Sequence, residues 1–135
     1  MNKSNLIFLI EATNGNKFGG YVNVKIDKCD NNNWINDNGM FLYSLKINGK
    51  NEIKKYMKTT NDNYGFYIYE KNDHYYLFGF GGGHNIQINK KSNNNASGSC
   101  VYPYSSYENL SSINLFGKSE QTYFTPRRFI VIQMN

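Results

Sequence analysis

The sequence is poor in cysteine, in histidine and in long apolar runs, and each shortage excludes a class of protein. Cys29 and Cys100 are the only cysteines in 135 residues, so the chain has neither a disulfide framework nor a CxxC pair. The apolar run Leu6 to Ile10 is too short for a signal-peptide core or a membrane span. We therefore expect an intracellular protein without a membrane span, in the cytoplasm or alternatively in the nucleus.

Patterns typical of catalytic and metal sites are also missing from the sequence. His74 and His84 are the only histidines, and no Gly-x-Ser-x-Gly elbow accompanies them. The sequence contains no calcium-loop spacing and no clustered zinc ligands. The run Phe80 to His84 is rich in glycine but lacks the Lys-Ser/Thr of a phosphate-binding loop. We expect no enzyme activity, no metal and no cofactor.

Apolar residues nowhere recur at helical spacing over the length of a helix, whereas strand patterns are frequent. Aromatic residues make up 16% of the chain, which favours a β-rich core. Leu6 to Ile10 is typical of a strand buried on both faces, and Met40 to Ile47 of another buried strand. Asn14-Gly15 and Asn48-Gly49 each predict a hairpin turn. The sequence thus predicts an all-β fold with little helix, an antiparallel two-sheet β-sandwich that forms one domain over residues 1–135.

The last twelve residues, 124–135, have the pattern of a strand that runs to the end of the chain. Phe129 to Ile132 is an apolar run that would fray or aggregate if it were left unpaired. We therefore expect this segment to pair within a sheet.

The basic residues raise the question of an acidic partner. The net charge is +5 and the pI is about 9.1, values that permit binding to nucleic acid. The candidate contact residues are Lys54, Lys55, Lys90, Lys91, Arg127 and Arg128. Neighbouring residues of a strand point to opposite faces, so Lys54 and Lys55 cannot both line one groove. A DNA-binding regulator of a stress response stays as the alternative function.

Several short motifs occur in an order that resembles the TLDc domain family, the module of the eukaryotic oxidation-resistance proteins. The first motifs are the hydrophobic strand and glycine-containing turn of residues 6–16, followed by Phe18, Gly19, Gly20 and Tyr21. The second is similar to the family's Phe-Leu-aromatic-Ser-Leu strand and comprises Phe41, Leu42, Tyr43, Ser44 and Leu45. The third is a glycine-rich strand with Gly79, Gly81, Gly82 and Gly83, followed by Ile86-Gln87-Ile88. Residues 97–100, 107–110 and 128–132 echo later family segments.

The resemblance implies a β-sandwich without an established enzymatic centre. It also implies a role in oxidative-stress protection, commonly through binding of the vacuolar proton-pumping ATPase. The motif residues are expected to act structurally. Phe18 to Tyr21 should form a tight entry from turn to strand, and Phe41, Leu42 and Leu45 should lie in the core. The four glycines should allow close packing of strands.

The chain also departs from the family pattern. The family usually has a further block before the first strand found here, with Leu-Pro and Leu-Tyr-Ser elements. Its closing strand commonly carries Glu-Val-Trp, where this chain has Ile130-Val131-Ile132. A third hypothesis, a redox sensor, would use Cys29 or Cys100 and requires an exposed thiol of lowered pKa.

Overall fold

The computed structural model describes residues 3–26, 34–90 and 99–135, and within these ranges the chain forms eleven strands and no helix. In chain order the strands are β1 (Leu6–Ala12), β2 (Lys17–Val22), β3 (Trp34–Ile35), β4 (Phe41–Ile47), β5 (Lys50–Met57), β6 (Phe66–Ile68), β7 (Tyr76–Phe80), β8 (Ile86–Asn89), β9 (Cys100–Val101), β10 (Thr122–Tyr123) and β11 (Pro126–Gln133). The described residues contain no helix of the length and apolar character needed to cross a bilayer.

The strands form two antiparallel sheets, which confirms the predicted all-β sandwich. One sheet has five strands in the order β11-β1-β2-β4-β5, and the other has six in the order β10-β9-β8-β7-β6-β3. The closing strand β11 pairs with β1, with Val131 opposite Phe8 and Phe129 opposite Ile10. The prediction that the last segment pairs within a sheet is therefore confirmed.

Both predicted hairpin turns are present because each supplies residues that tolerate a positive φ. Asn48 and Gly49 both have positive φ, 52° and 80°, as a two-residue turn of type I′ requires between β4 and β5. Gly15 has a φ of 89° in the connection from β1 to β2. These turns make β1 with β2, and β4 with β5, adjacent strands of the five-stranded sheet.

The core between the sheets is aromatic, as the composition predicts. Phe8 of β1 contacts three phenylalanines of the opposite sheet, with ring centroids 5.2 Å from Phe66, 5.0 Å from Phe78 and 5.7 Å from Phe80. Such offset and edge-to-face pairs add about 0.5–1.5 kcal/mol each to the gain from burying apolar area. This cluster joins the centres of the two sheets.

The strand β1 is not buried on both faces, contrary to the prediction. Its burial alternates: Phe8 and Ile10 are buried, whereas Ile7 and Leu9 are only half-buried. The alternation arises because one face of the five-stranded sheet packs on the six-stranded sheet and the other faces outward. A continuous apolar run is thus compatible with a strand that has a single core face.

In β4, too, fewer residues belong to the core than the sequence predicted. Leu42 is fully buried, but Phe41 and Leu45 are half-buried and lie outside the core. Phe41 faces outward, where its ring packs on Tyr21 at 5.0 Å. The register of β4 with β5 shifts between Ser44 and Lys46, and this irregularity at Leu45 interrupts the alternation of buried side chains.

Candidate interaction surface along the strand β11

The Phe-Gly-Gly-Tyr motif lies within β2, the strand that follows the turn at Gly15. Phe18 is fully buried and contacts the rings of Phe116 and Phe124, both at 5.0 Å. Gly20 faces the core, where an added Cβ would lie 2.6 Å from the ring of Phe80. The core thus accommodates a large side chain at position 18 of β2, whereas at position 20 the Phe80 ring leaves no room for one.

Gly19 of the Phe-Gly-Gly-Tyr motif lies beside Tyr43 of the Phe-Leu-Tyr-Ser-Leu motif, and the contact between them requires glycine. The Tyr43 side chain of β4 passes over Gly19, and its hydroxyl donates a hydrogen bond of 2.8 Å to the carbonyl of Phe8 in β1. A Cβ at position 19 would lie 1.8 Å from that carbonyl oxygen and 2.8 Å from the tyrosine hydroxyl. Burial raises the pKa of Tyr43 to about 12, so the hydroxyl stays a donor at neutral pH. The neighbouring Ser44 is also buried, and its hydroxyl donates to the carbonyl of Glu52.

The glycine-rich segment packs mainly against side chains. Gly79 lies in β7, where an added Cβ would approach the carbonyl of Ile86 to 3.2 Å. Gly81 has a φ of 85°, while Gly82 and Gly83 lie against aromatic rings, those of Tyr64 and Tyr104 respectively. The expected close packing between strands thus applies to Gly79, and the last two glycines make room for tyrosine rings.

The predicted basic residues that the structure describes do not come together in one groove. Lys54 forms a 2.7 Å ion pair with Glu52, and the ammonium of Lys55 lies 4.1 Å from the centre of the Phe41 ring. Lys90 donates to the backbone carbonyls of Lys71 and Asp73, and Lys91 lies outside the described residues. Arg127 and Arg128 are on β11, at the opposite edge of the five-stranded sheet from Lys54 and Lys55. The described members of this set therefore lie at separate places in the fold.

The cysteine that the structure describes, Cys100, does not supply the exposed thiol that a redox sensor needs. Cys100 is buried in β9, and burial raises the pKa of its thiol, opposite to the shift that makes a cysteine reactive. Its sulfur lies 3.6 Å from Oε1 of Gln87. Cys29 lies outside the described residues. Within the described part of the chain no three His, Cys, Asp or Glu side chains converge as a metal site would require.

The strand β11 is the most unusual surface of the fold because it is long, apolar and exposed. Its central residues, Phe129, Ile130, Val131 and Ile132, are each exposed by 37–43%. Phe129 and Val131 lie on the inner face and Ile130 and Ile132 on the outer face, as their partners in β1 show. Folded domains rarely leave four consecutive large apolar residues on an edge strand, because such strands recruit other chains.

A small charged group borders this strand at its start. The Glu11 carboxylate accepts a 2.9 Å hydrogen bond from Nε of Arg128, and the nearest Arg127 nitrogen lies 3.7 Å away. The bond from Arg128 lowers the pKa of Glu11, which stays ionised at neutral pH. A shallow pocket of about 70 Å³ lies beside the group and is lined by Leu9, Glu11, Lys17, Arg128 and Ile130. We name the exposed residues 127–132 the β11 surface.

Sequence reasoning found this segment as a strand but missed it as a surface. Residues 129–132 are all apolar and do not alternate with polar residues. In the sequence alone, such a run is equally typical of a strand that is buried on both faces. Only the sheet order shows that β11 is an edge strand, with one side toward β1 and no strand on the other among the described residues.

Comparison with protein families gives one match that covers nearly all of the chain. The family model for the TLDc domain matches residues 1–129 of the 135. Comparison with individually characterised proteins gave no match. The match spans both sheets and the Phe-Gly-Gly-Tyr, Phe-Leu-Tyr-Ser-Leu and glycine-rich segments described above. The chain therefore belongs to the TLDc domain family.

Proposed function

We propose that this protein is a non-catalytic, intracellular interaction module of oxidative-stress resistance. Its partner in this proposal is a protein such as the vacuolar proton-pumping ATPase, bound through the β11 surface. Membership of the TLDc family supports the link to oxidative stress. The exposed apolar edge strand is the observation that supports binding to a protein.

Covering the β11 surface would contribute part of the energy of a specific contact. Burying a large apolar side chain fully contributes about 1.5–3 kcal/mol. Each of the four central residues is exposed by 37–43%, so covering them would contribute about 2–5 kcal/mol in total. Arg127 and Arg128 add polar specificity at one end of the surface.

Partner capture tests this proposal. Tagged protein would be incubated with a peroxide-treated native lysate of the source cells, split into nuclease-treated and untreated halves. We expect proton-pump subunits to be retained in both halves and identified by mass spectrometry. Retention should fall about fivefold for the double variant Ile130→Thr, Ile132→Thr, since each substitution removes apolar contact area.

The opposite edge of the same sheet supplies a matched control. Ile53 of β5 is 83% exposed, and Ile53→Thr makes the same chemical change without touching the β11 surface. We expect it to retain the pump subunits as wild type does. Pump subunits absent from both halves would refute the named partner, and partners lost only after nuclease treatment would favour the nucleic-acid alternative.

A further inference from the structure

The fold has four sheet edges within its described residues, and one differs from the rest. β3 and β10 are edges of two residues each, too short to template another strand. β5 has eight residues but carries Lys50, Glu52, Lys54 and Lys55, and charges of this kind block edge pairing. β11 also has eight residues, and its centre carries no charge. The centre of β11 therefore lacks the charges of β5 and the shortness of β3 and β10.

The β11 edge has the backbone groups that an added strand needs. In an antiparallel ladder every second residue directs its N–H and C=O toward one neighbour. β1 pairs with one side of β11 from Gln133 to Pro126. The alternate backbone groups of β11 point away from β1, where no described strand lies.

On both faces of the sheet, the surface beside β11 is suited to apolar side chains of an added strand. On the inner face Phe129 touches the ring of Phe78 at 5.7 Å yet keeps 41% of its surface exposed. On the outer face Ile130 borders the 70 Å³ pocket. Successive residues of an added strand alternate between the two faces, so its side chains should be apolar on both.

The charges at the start of β11 favour an acidic residue in the partner. Arg127 and Arg128 share the single carboxylate of Glu11, and their side chains stay 71% and 65% exposed. Lys17 lowers the pKa of the same carboxyl, so three cations surround one anion. A second copy of β11 would bring two more arginines and no acid, because Pro126–Gln133 contains neither Asp nor Glu. An acidic side chain beside Arg127 would form the missing pair.

We propose that β11 accepts an extended segment of a partner protein as an added strand, apolar at its centre and carrying Asp or Glu beside Arg127 and Arg128. This inference rests on the proposed function and specifies the chemistry of its partner. Main-chain hydrogen bonds would provide affinity, and the apolar positions with the acidic residue would provide specificity.

A selection with peptides tests the inference without the pump. The probe is a library of random ten-residue peptides displayed on phage and selected against the wild-type protein. We expect enriched peptides to share a run of apolar or β-branched residues with Asp or Glu at one end. Their affinity should fall about tenfold for Arg127→Glu and should be recovered when the peptide's acid is replaced by lysine. Lys54→Glu, on the other edge, is the matched control and should bind as wild type does.

Backbone methylation separates strand addition from simple apolar contact. An enriched peptide would be resynthesised with N-methyl groups on alternate residues, in each of the two possible sets. Strand addition predicts that one set abolishes binding and the other leaves it, because only alternate N–H groups face β11. Equal loss or equal retention in both sets would refute strand addition.

The remaining outcomes separate this inference from the proposed function. Peptides enriched equally by wild type and by a protein carrying Arg127→Glu and Ile130→Thr would overturn the inference. A wild-type dimer in sedimentation that Ile130→Thr dissociates would overturn the chosen occupant in favour of a second copy. Pump subunits that bind both proteins equally would overturn the inference and the proposed binding through the β11 surface, and would leave the role as a pump-binding module standing. Peptide binding without pump binding would support the inference and would refute the pump as the partner in the proposed function.

Discussion

At position 19 of β2, between the neighbouring strands β1 and β4, no side chain larger than hydrogen fits. The carbonyl of Phe8 would lie 1.8 Å from a Cβ, and the hydroxyl of Tyr43 occupies the remaining space. We expect Gly19→Ala to lower the free energy of unfolding by more than about 3 kcal/mol, the upper end for an overpacked site. Urea denaturation of both proteins would measure the difference.

Gly15 provides the comparison for this prediction. It also has an unusual requirement, a φ of 89°, but an added Cβ there meets nothing within 4 Å. Gly15→Ala should therefore cost only the conformational strain, about 1–2 kcal/mol. An equal loss in the two variants would mean that crowding by Phe8 and Tyr43 is not what requires glycine at position 19.

At the scale of the element, β4 shows how one strand divides its residues between core and surface. Leu42 is fully buried, and Leu42→Ala should cost about 2–5 kcal/mol by leaving a cavity. Phe41 is larger but half-buried, and its ring contacts Tyr21, Tyr43 and the Lys55 ammonium. Phe41→Ala should cost about 1–2 kcal/mol, because surface contacts are lost but no enclosed cavity is left.

The order of these two losses is the informative result. Chemical denaturation with a common slope would rank the variants, since the slope reports the surface exposed on unfolding. A larger loss for Phe41→Ala than for Leu42→Ala would contradict the division of faces observed in β4.

At the scale of the whole molecule, stability should fall on acidification because several groups favour their unprotonated forms in the folded state. Half-buried His84 has an enclosed Nδ1 with no hydrogen-bond partner among the described residues, and burial lowers its pKa. The unfolded chain therefore binds this proton at a higher pH than the folded chain does. The contribution of His84 is complete above the usual pKa of histidine and is lost as the pH falls toward the lowered value.

Thermal unfolding between about pH 7 and about pH 5 would test the role of His84, since histidine titrates there. His84→Asn should flatten the dependence of Tm on pH in this window; asparagine tolerates the positive φ of 63° at this position. His74→Asn is the control, because His74 is exposed, and it should leave the slope unchanged. An unchanged slope in the His84 variant would exclude this histidine as the titrating group.

A further loss is expected below the usual pKa of carboxyl groups. The N–H of Gly39 and the amide of Asn23 lower the pKa of Asp37, and Arg128 does the same for Glu11. Both carboxylates stabilise the fold above their unfolded pKa and lose that contribution as the pH falls through the lowered value.

The sequence by itself determined the local features, because short-range chemistry decides them. Asn48-Gly49 forms the predicted turn since both residues tolerate positive φ, and the absence of helical periodicity correctly excludes helices from the described residues. The family motifs also predicted the TLDc family, which the family-model match over residues 1–129 confirms.

Only the tertiary structure decided which face and which edge of each strand meets solvent. An apolar run such as Phe129 to Ile132 has the same sequence pattern at the centre of a sheet as at its edge. Its position depends on β1 taking β2 on one side and β11 on the other, a pairing between residues more than a hundred positions apart. The crowding at Gly19 likewise depends on a tyrosine from β4. Long-range strand order therefore created both the core constraint at Gly19 and the exposed β11 surface.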